Sequence, residues 1–206
     1  MTAGTPTPFP LCVADDATFW PWRSWPQFVA WPNRERTVVV VPLAGLADWG
    51  LGAALDAEEQ ILLGLLREAS RLLAPAPGLL CLPPLRFVLG PMEHCAFPVD
   101  PPTAHALVAE VVRSIAAAGF RRVVLYNASP YNEELCAAAA RDLRLELGLE
   151  LFCLHLSALG LDFDASRGTD QSVLRAALGS AGAPADPGRL APIAQRVAAG
   201  LAEVGA

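Results

Sequence analysis

The sequence predicts one three-layer α/β domain, a mainly parallel β-sheet flanked by helices, and three observations carry that reading. Residues 37–43 (TVVVVPL) form a continuous β-branched and apolar run, as expected of a parallel strand buried on both faces. A second run, 122–127 (RVVLYN), passes directly into a helix start. Between such runs lie stretches with apolar residues at helical spacing, and alternating strands and helices argue for a parallel sheet covered on both sides.

Residues 1–36 are rich in Pro and Trp, with Trp20, Trp22, Trp25 and Trp31 close together. Large rings separated by prolines read as a segment packed over the domain or as an oligomer contact, and both readings stay open. The strand 37–42 and a Gly-rich loop follow. Asp56 and Glu59 then read as a capping box ahead of the apolar face Ile61, Leu62, Leu65 and Leu66, in a helix ending near Ala74. Residues 79–82 read as a short strand and 83–102 as a loop. Thr103 is the expected cap of a helix carrying Leu107, Val108, Val111, Val112 and Ile115, which Gly119 stops. After the strand 122–127, Ser129 stands as N-cap and Pro130 at the first position of a helix reaching about Leu147. Residues 151–156 give another strand and 180–189 a loop. Leu190, Ile193, Val197, Leu201 and Val204 outline the last amphipathic helix. The expected organisation is a single domain over 1–206.

A chain of 206 residues is long enough to bury a full core. It is 53% hydrophobic with a mean hydropathy of +0.38, yet no run approaches the roughly 20 apolar residues that span a bilayer. The first residues lack the basic and apolar regions of a signal peptide, so a cytoplasmic location is expected, with no membrane partner. All 15 basic residues are arginine. The absence of lysine excludes Schiff-base chemistry, a P-loop lysine and a lysine base. A net charge of −6 without a basic cluster argues against nucleic acid as a partner. Five cysteines, an odd number with no C-x-x-C pair, read as reduced thiols. Cys95, beside His94, has the most suggestive neighbour, but buried filler is the simpler reading.

No G-x-G-x-x-G follows the first strand and no G-x-S-x-G elbow exists. Ser129 reads as a cap rather than a nucleophile, and His105 and His155 read as structural histidines. In an open α/β sheet the carboxyl end of a strand entering a helix is where ligands bind. Here that corner carries Asn127, Ala128, Ser129, Pro130 and Tyr131, a set poor in titratable groups.

Four segments, in order, resemble the creatininase family of metal-dependent amide hydrolases, which includes creatinine amidohydrolase. Residues 42–58, PLAGLADWGLGAALDAE, are similar to the family's E-x-H-G-x-H-L-P and trailing metal-binding Asp. His94-Cys-Ala-Phe97-Pro98 matches H-x-x-F-P, although the G-T that follows in the family is Val99-Asp100 here. Residues 119–132, GFRRVVLYNASPYN, resemble G-F-[KR]-[KR]-x-x-x-x-N-G-H-x-x-N. More weakly, 164–172, DASRGTDQS, stands in place of H-A-G-E-x-E-T-S. The resemblance covers roughly residues 24–175 and implies the family fold and a homohexamer.

The family's chemistry does not follow from this resemblance. Its enzymes hold two divalent metals at positions that here carry Ala47, Trp49, Glu58, Ser129 and Tyr131, and only Glu58 is a strong ligand. In the fourth segment the His and first Glu become Ala165 and Gly168, while the later acid survives as Asp170. One carboxylate does not hold two ions against water, and an indole at Trp49 fills the cavity. Pro42, Gly50, His94, Phe97, Pro98, Gly119, Phe120, Asn127 and Asn132 remain as scaffold.

The leading expectation is a family member without metal cofactors, acting as a binding or assembly subunit. Its partners are further copies of itself, in a hexamer as in the family, or an intact family member in a hetero-oligomer. Its pocket is expected from Trp49, Glu58, His94, Asn127, Ser129 and Tyr131, either holding a small ligand or simply plugging the old site. The alternative is an active amide hydrolase, acting on a C–N bond through a rebuilt site. That site would draw on Asp48, Glu58, Glu93, His94, Glu133 and Asp170, with His94 and Asp170 as candidate catalytic acid and base.

Overall fold

The computed structural model describes residues 18–73, 78–90, 93–168, 171–178 and 187–206. In chain order its elements are α1 (Trp25–Val29), β1 (Val38–Ala44), α2 (Ala57–Leu72), β2 (Leu79–Cys81), β3 (Leu85–Arg86), β4 (Val88–Leu89) and β5 (Pro98–Val99). There follow α3 (Pro101–Ala117), β6 (Arg122–Asn127), α4 (Glu133–Leu147), β7 (Glu150–His155), α5 (Ser172–Leu178) and α6 (Pro187–Gly205).

The main sheet runs β2–β1–β6–β7 with all pairs parallel, and β3 pairs with the end of β1. Every residue of β1 is buried, which explains its unbroken apolar sequence. Strand alternation divides the core. Val38, Val40, Ala44, Val124 and Tyr126 pack with residues of α2, α5 and α6, whereas Val39, Val41, Leu43, Val123 and Leu125 pack with residues of α3 and α4. The three-layer α/β arrangement expected from the sequence is therefore the one observed. Gly119, at φ +90°, turns the chain out of α3 toward β6 in a backbone region that side chains disfavour.

The N-terminal segment continues along the outer edge of β2, where Thr18 O accepts from Cys81 N at 2.8 Å. Trp20 packs against Phe28 and Phe120, and Trp31 against Phe120, with ring centroids 4.6–6.5 Å apart. Trp22 and Trp25 are exposed.

Three local expectations need correction. Asp56 and Glu59 form no capping box: Asp56 accepts from the Gln60 side chain, and Glu59 is held by Arg86 through two bonds of 2.5 and 2.8 Å. The cap of α3 is Asp100, not Thr103. Pro101 and Pro102 lack N–H groups, so the first amide the cap reaches is that of Thr103, at 3.2 Å. Residues 83–102 are not loop throughout, since they contain β3 and the small parallel ribbon of β4 and β5. The expected loop at 180–189 falls largely outside the described residues, and 187–189 already belong to α6.

Buried Asn132 ties that region to the start of α4: its Nδ2 donates to Phe87 O at 2.9 Å and its Oδ1 accepts from Leu89 N at 3.2 Å. Truncation leaves both backbone groups without this partner. Asn132→Ala is therefore expected to lower unfolding free energy by about 2–3 kcal/mol, read by urea denaturation. A change within experimental error contradicts this role.

Candidate functional site

Because β1 and β6 are parallel neighbours, their carboxyl ends lie side by side, and the candidate site is built from the two exits. After β1 comes Gly45. A Cβ on it would collide with Val88 Cγ2 and lie 3.1 Å from Glu58 Oε2, so only glycine lets the backbone approach this closely. The Gly45 N–H donates to Glu58 Oε2 at 2.5 Å. Glu58 lies in the first turn of α2 and is fully buried. Its other oxygen accepts the Trp49 indole N–H at 2.9 Å. The indole stacks on Tyr131 at 5.2 Å between centroids and 23° between planes, and rests on Phe163 at 5.8 Å.

The exit of β6 is locked by Asn127, whose Nδ2 donates to Ser129 O at 2.7 Å and whose Oδ1 accepts from Ser129 N at 3.3 Å. Ser129 stands at the cap position of the 3-10 turn Pro130–Asn132, but its hydroxyl caps no backbone group. That hydroxyl is buried beside Glu58 without a well-formed hydrogen bond. The third side is the 93–97 loop, held by Asp48 N to His94 O at 2.9 Å and Ala96 N to Leu46 O at 2.8 Å. His94 and Phe97 have φ of +61° and +54°, conformations costly for residues with side chains and kept only by such contacts. Between these parts opens a cleft of about 470 Å³, lined by Ala47, Asp48, Trp49, Glu93, His94, Cys95 and Tyr131.

Burial pushes the Glu58 carboxyl up to about 7, against the opposing pull of the Gly45 and Trp49 donors. Burial, and then the negative charge of Glu58, raises the Cys95 thiol, which makes it a poor nucleophile at neutral pH. Tyr131 is raised by burial, then by Asp164, Cys95 and Glu58, with Arg167 opposing.

The structure thus gathers Ala47, Trp49, Glu58, Ser129 and Tyr131 at the paired strand exits. Asn127 braces the turn beneath them. His94, Asp48 and Glu93 line the open cleft with exposed side chains. Glu133 does not join them; it accepts from Ser157 at 2.5 Å and pairs with Arg167 at 2.9 Å. Asp170 lies outside the described residues. The sequence reading missed Phe163 and Gly45. The run L-D-F-D at 161–164 carries a signal for the first, an isolated aromatic between acids, and the second has none beyond being a glycine after a strand.

These residues do not fit a dinuclear metal centre. Both Glu58 oxygens already face N–H donors, and the indole N–H of Trp49 donates rather than ligates. Among the described residues, no three His, Cys, Asp or Glu side chains are grouped to hold an ion.

A model of the creatininase family, described as creatinine amidohydrolase, matches residues 23–184. The chain belongs to the creatininase family. No curated protein matches it. Among solved structures, a creatinine amidohydrolase assignment from Bacteroides fragilis superposes with a TM-score of 0.69 at 14% identity, over 93% of this chain and 97% of that one. A mutant creatininase complexed with creatine gives 0.56 at 18% identity, over 71% of this chain and 60% of that one. The manganese form of creatininase gives 0.56 at 17%, over 70% and 60%. At such identities the likeness establishes the creatininase fold, and this chain spans about 60% of the creatininase length.

Proposed function

We propose that this creatininase-family chain works without the dinuclear metal site, as a non-catalytic binding or assembly subunit in the cytoplasm. The observation that carries this reading is the Trp49 side chain: hydrogen-bonded to Glu58 and stacked on Tyr131, it fills the space between positions that the motif comparison assigns to metal ligands. Without metals there is no polarised carbonyl and no bound hydroxide near neutral pH, which closes the ordinary route to amide cleavage. The chain is one domain on this reading, and it assembles with copies of itself, as a hexamer on the family pattern, or with an intact family member. The exposed Trp22 and Trp25 suit such a contact.

Creatinine turnover, measured after incubation with zinc or manganese, is the test. The expected result is no hydrolysis above the uncatalysed rate, together with light scattering above the monomer mass of 21.7 kDa. Metal-dependent turnover abolished by Glu58→Ala contradicts the non-catalytic reading, and a monomer at micromolar concentration contradicts the self-assembly.

A further inference from the structure

We propose that the exposed Phe97 ring of one copy of this chain seats in the arginine-lined aromatic cleft beside Trp25 of a second copy, so that copies associate head to tail. The proposal rests on the reading that the chain assembles with itself, and it names the two surfaces that meet.

The cleft lies between the N-terminal segment and the end of α3. It has a volume of about 350 Å³ and is walled by Trp20, Trp25 and Phe28, with Ala117 and Ala118 beside them. Trp25 and Val29 are 79% and 65% exposed, an apolar surface left open to solvent. Its charge is positive. Arg34 is held there by the carbonyls of Ala118, Val29 and Phe28, neutral acceptors that leave the guanidinium charge in place. Arg23 also lines the cleft, over the Trp31 ring at 5.9 Å. Along residues 18–36 three arginines stand against one acid, Glu35.

The matching surface is the 93–97 loop. Phe97 is 75% exposed, on a backbone of φ +54° that residues with side chains avoid. The bonds from Asp48 N to His94 O and from Ala96 N to Leu46 O fix the loop, so the ring is held out in a set position. A large ring presented to water on costly backbone gains its burial only from a partner. Its flanks are acidic: Glu93 and Asp100 are exposed, and the sequence places no arginine between Arg86 and Arg113.

The helix α3 sets the geometry. Phe97 comes just before its first residue, Pro101, whereas Ala117 ends it, so 17 helical residues, about 25 Å, separate the ring from the cleft. One chain cannot bring the two together, but a second copy can. The acidic end that carries the ring then meets the basic end that carries the cleft. Such a contact joins two different surfaces and closes into a ring of copies where the rotation permits.

Light scattering of the full chain at micromolar concentration reads the association, with Phe97→Asn removing the ring and Trp25→Glu blocking the cleft. Both side chains are exposed, and asparagine tolerates the left-handed backbone of Phe97. Each variant alone should lose mass relative to wild type while its urea midpoint stays unchanged. An equimolar mixture should be heavier than either, because the Trp25→Glu copy keeps its ring and the Phe97→Asn copy keeps its cleft. Glu93→Arg, which sets a cation against Arg23 and Arg34, should weaken association by at least about fivefold. Wild-type mass in either variant, no gain on mixing, or unweakened association in Glu93→Arg each overturns the proposal. In those cases an oligomeric wild type leaves the self-assembly reading standing. A wild type that is monomeric, or that assembles only with an intact family member, overturns self-assembly and this contact together.

Discussion

Restoring the four exchanged positions together, by Ala47→Glu, Trp49→His, Ser129→His and Tyr131→Glu, is expected to convert this chain into a metal-binding protein. With Glu58, the variant carries three carboxylates and two imidazoles at the ends of β1 and β6, a donor set suited to divalent zinc or manganese. Removing the indole and the phenol vacates the volume the new side chains need, since Trp49 and Tyr131 now fill it as a stacked pair. Single reversions should fail. Ser129 is fully buried, so a lone Ser129→His forces an imidazole into occupied space and is expected to destabilise by about 1–3 kcal/mol. Equilibrium dialysis checks the prediction: at least one ion retained per chain in the fourfold variant, against none in the parent. A well-folded fourfold variant that holds no metal contradicts the assignment of these positions.

Glu58 provides the second large effect. Its carboxyl has a folded-state value of about 7 against an ordinary value of 4.5, and the difference corresponds to about 3 kcal/mol. The sign follows from which state holds the proton. Between these values the folded chain keeps it while the unfolded chain loses it, so this contribution is complete below about pH 4.5 and is lost as pH rises through about 7. His155, held low chiefly by burial, works the other way, weakening the fold as the solution becomes acidic. Comparison with Glu58→Gln removes that background. At pH 5 the amide variant should be less stable by about 1–3 kcal/mol, because one amide oxygen cannot serve both the Gly45 and the Trp49 donors. Between pH 5 and about pH 8.5 wild type should lose about 2.5 kcal/mol relative to the variant, closing or reversing the gap. A gap that stays constant across this range, measured by denaturant unfolding, contradicts the buried-carboxyl account.

The strands were legible in the sequence because they are buried on both faces, which leaves unbroken apolar runs such as Val38–Ala44 and Arg122–Asn127. Caps were less legible because they depend on partners that local sequence does not reveal. Glu59 is taken by Arg86, which lies 27 residues away, and the prolines after Asp100 move the cap three residues before Thr103. β3, β4 and β5 have two residues each, too short for any periodicity, and Asn132 anchors the region from the far side of α3. At the site, the motif resemblance carried the grouping of Trp49, Glu58, Ser129 and Tyr131, since their separations along the chain reveal nothing of adjacent strand exits. The pairing of Glu133 with Arg167 and Ser157 was hidden for the same reason.

Elemental analysis of the purified chain most directly tests the proposal that an aromatic plug stands in place of the family's metal site. With Trp49 and Tyr131 stacked over a carboxyl already bonded to two donors, the expected result is less than about one-tenth of an ion of zinc, manganese or iron per chain after desalting. One or more ions per chain, released by Glu58→Ala, would show that the site was rebuilt rather than lost.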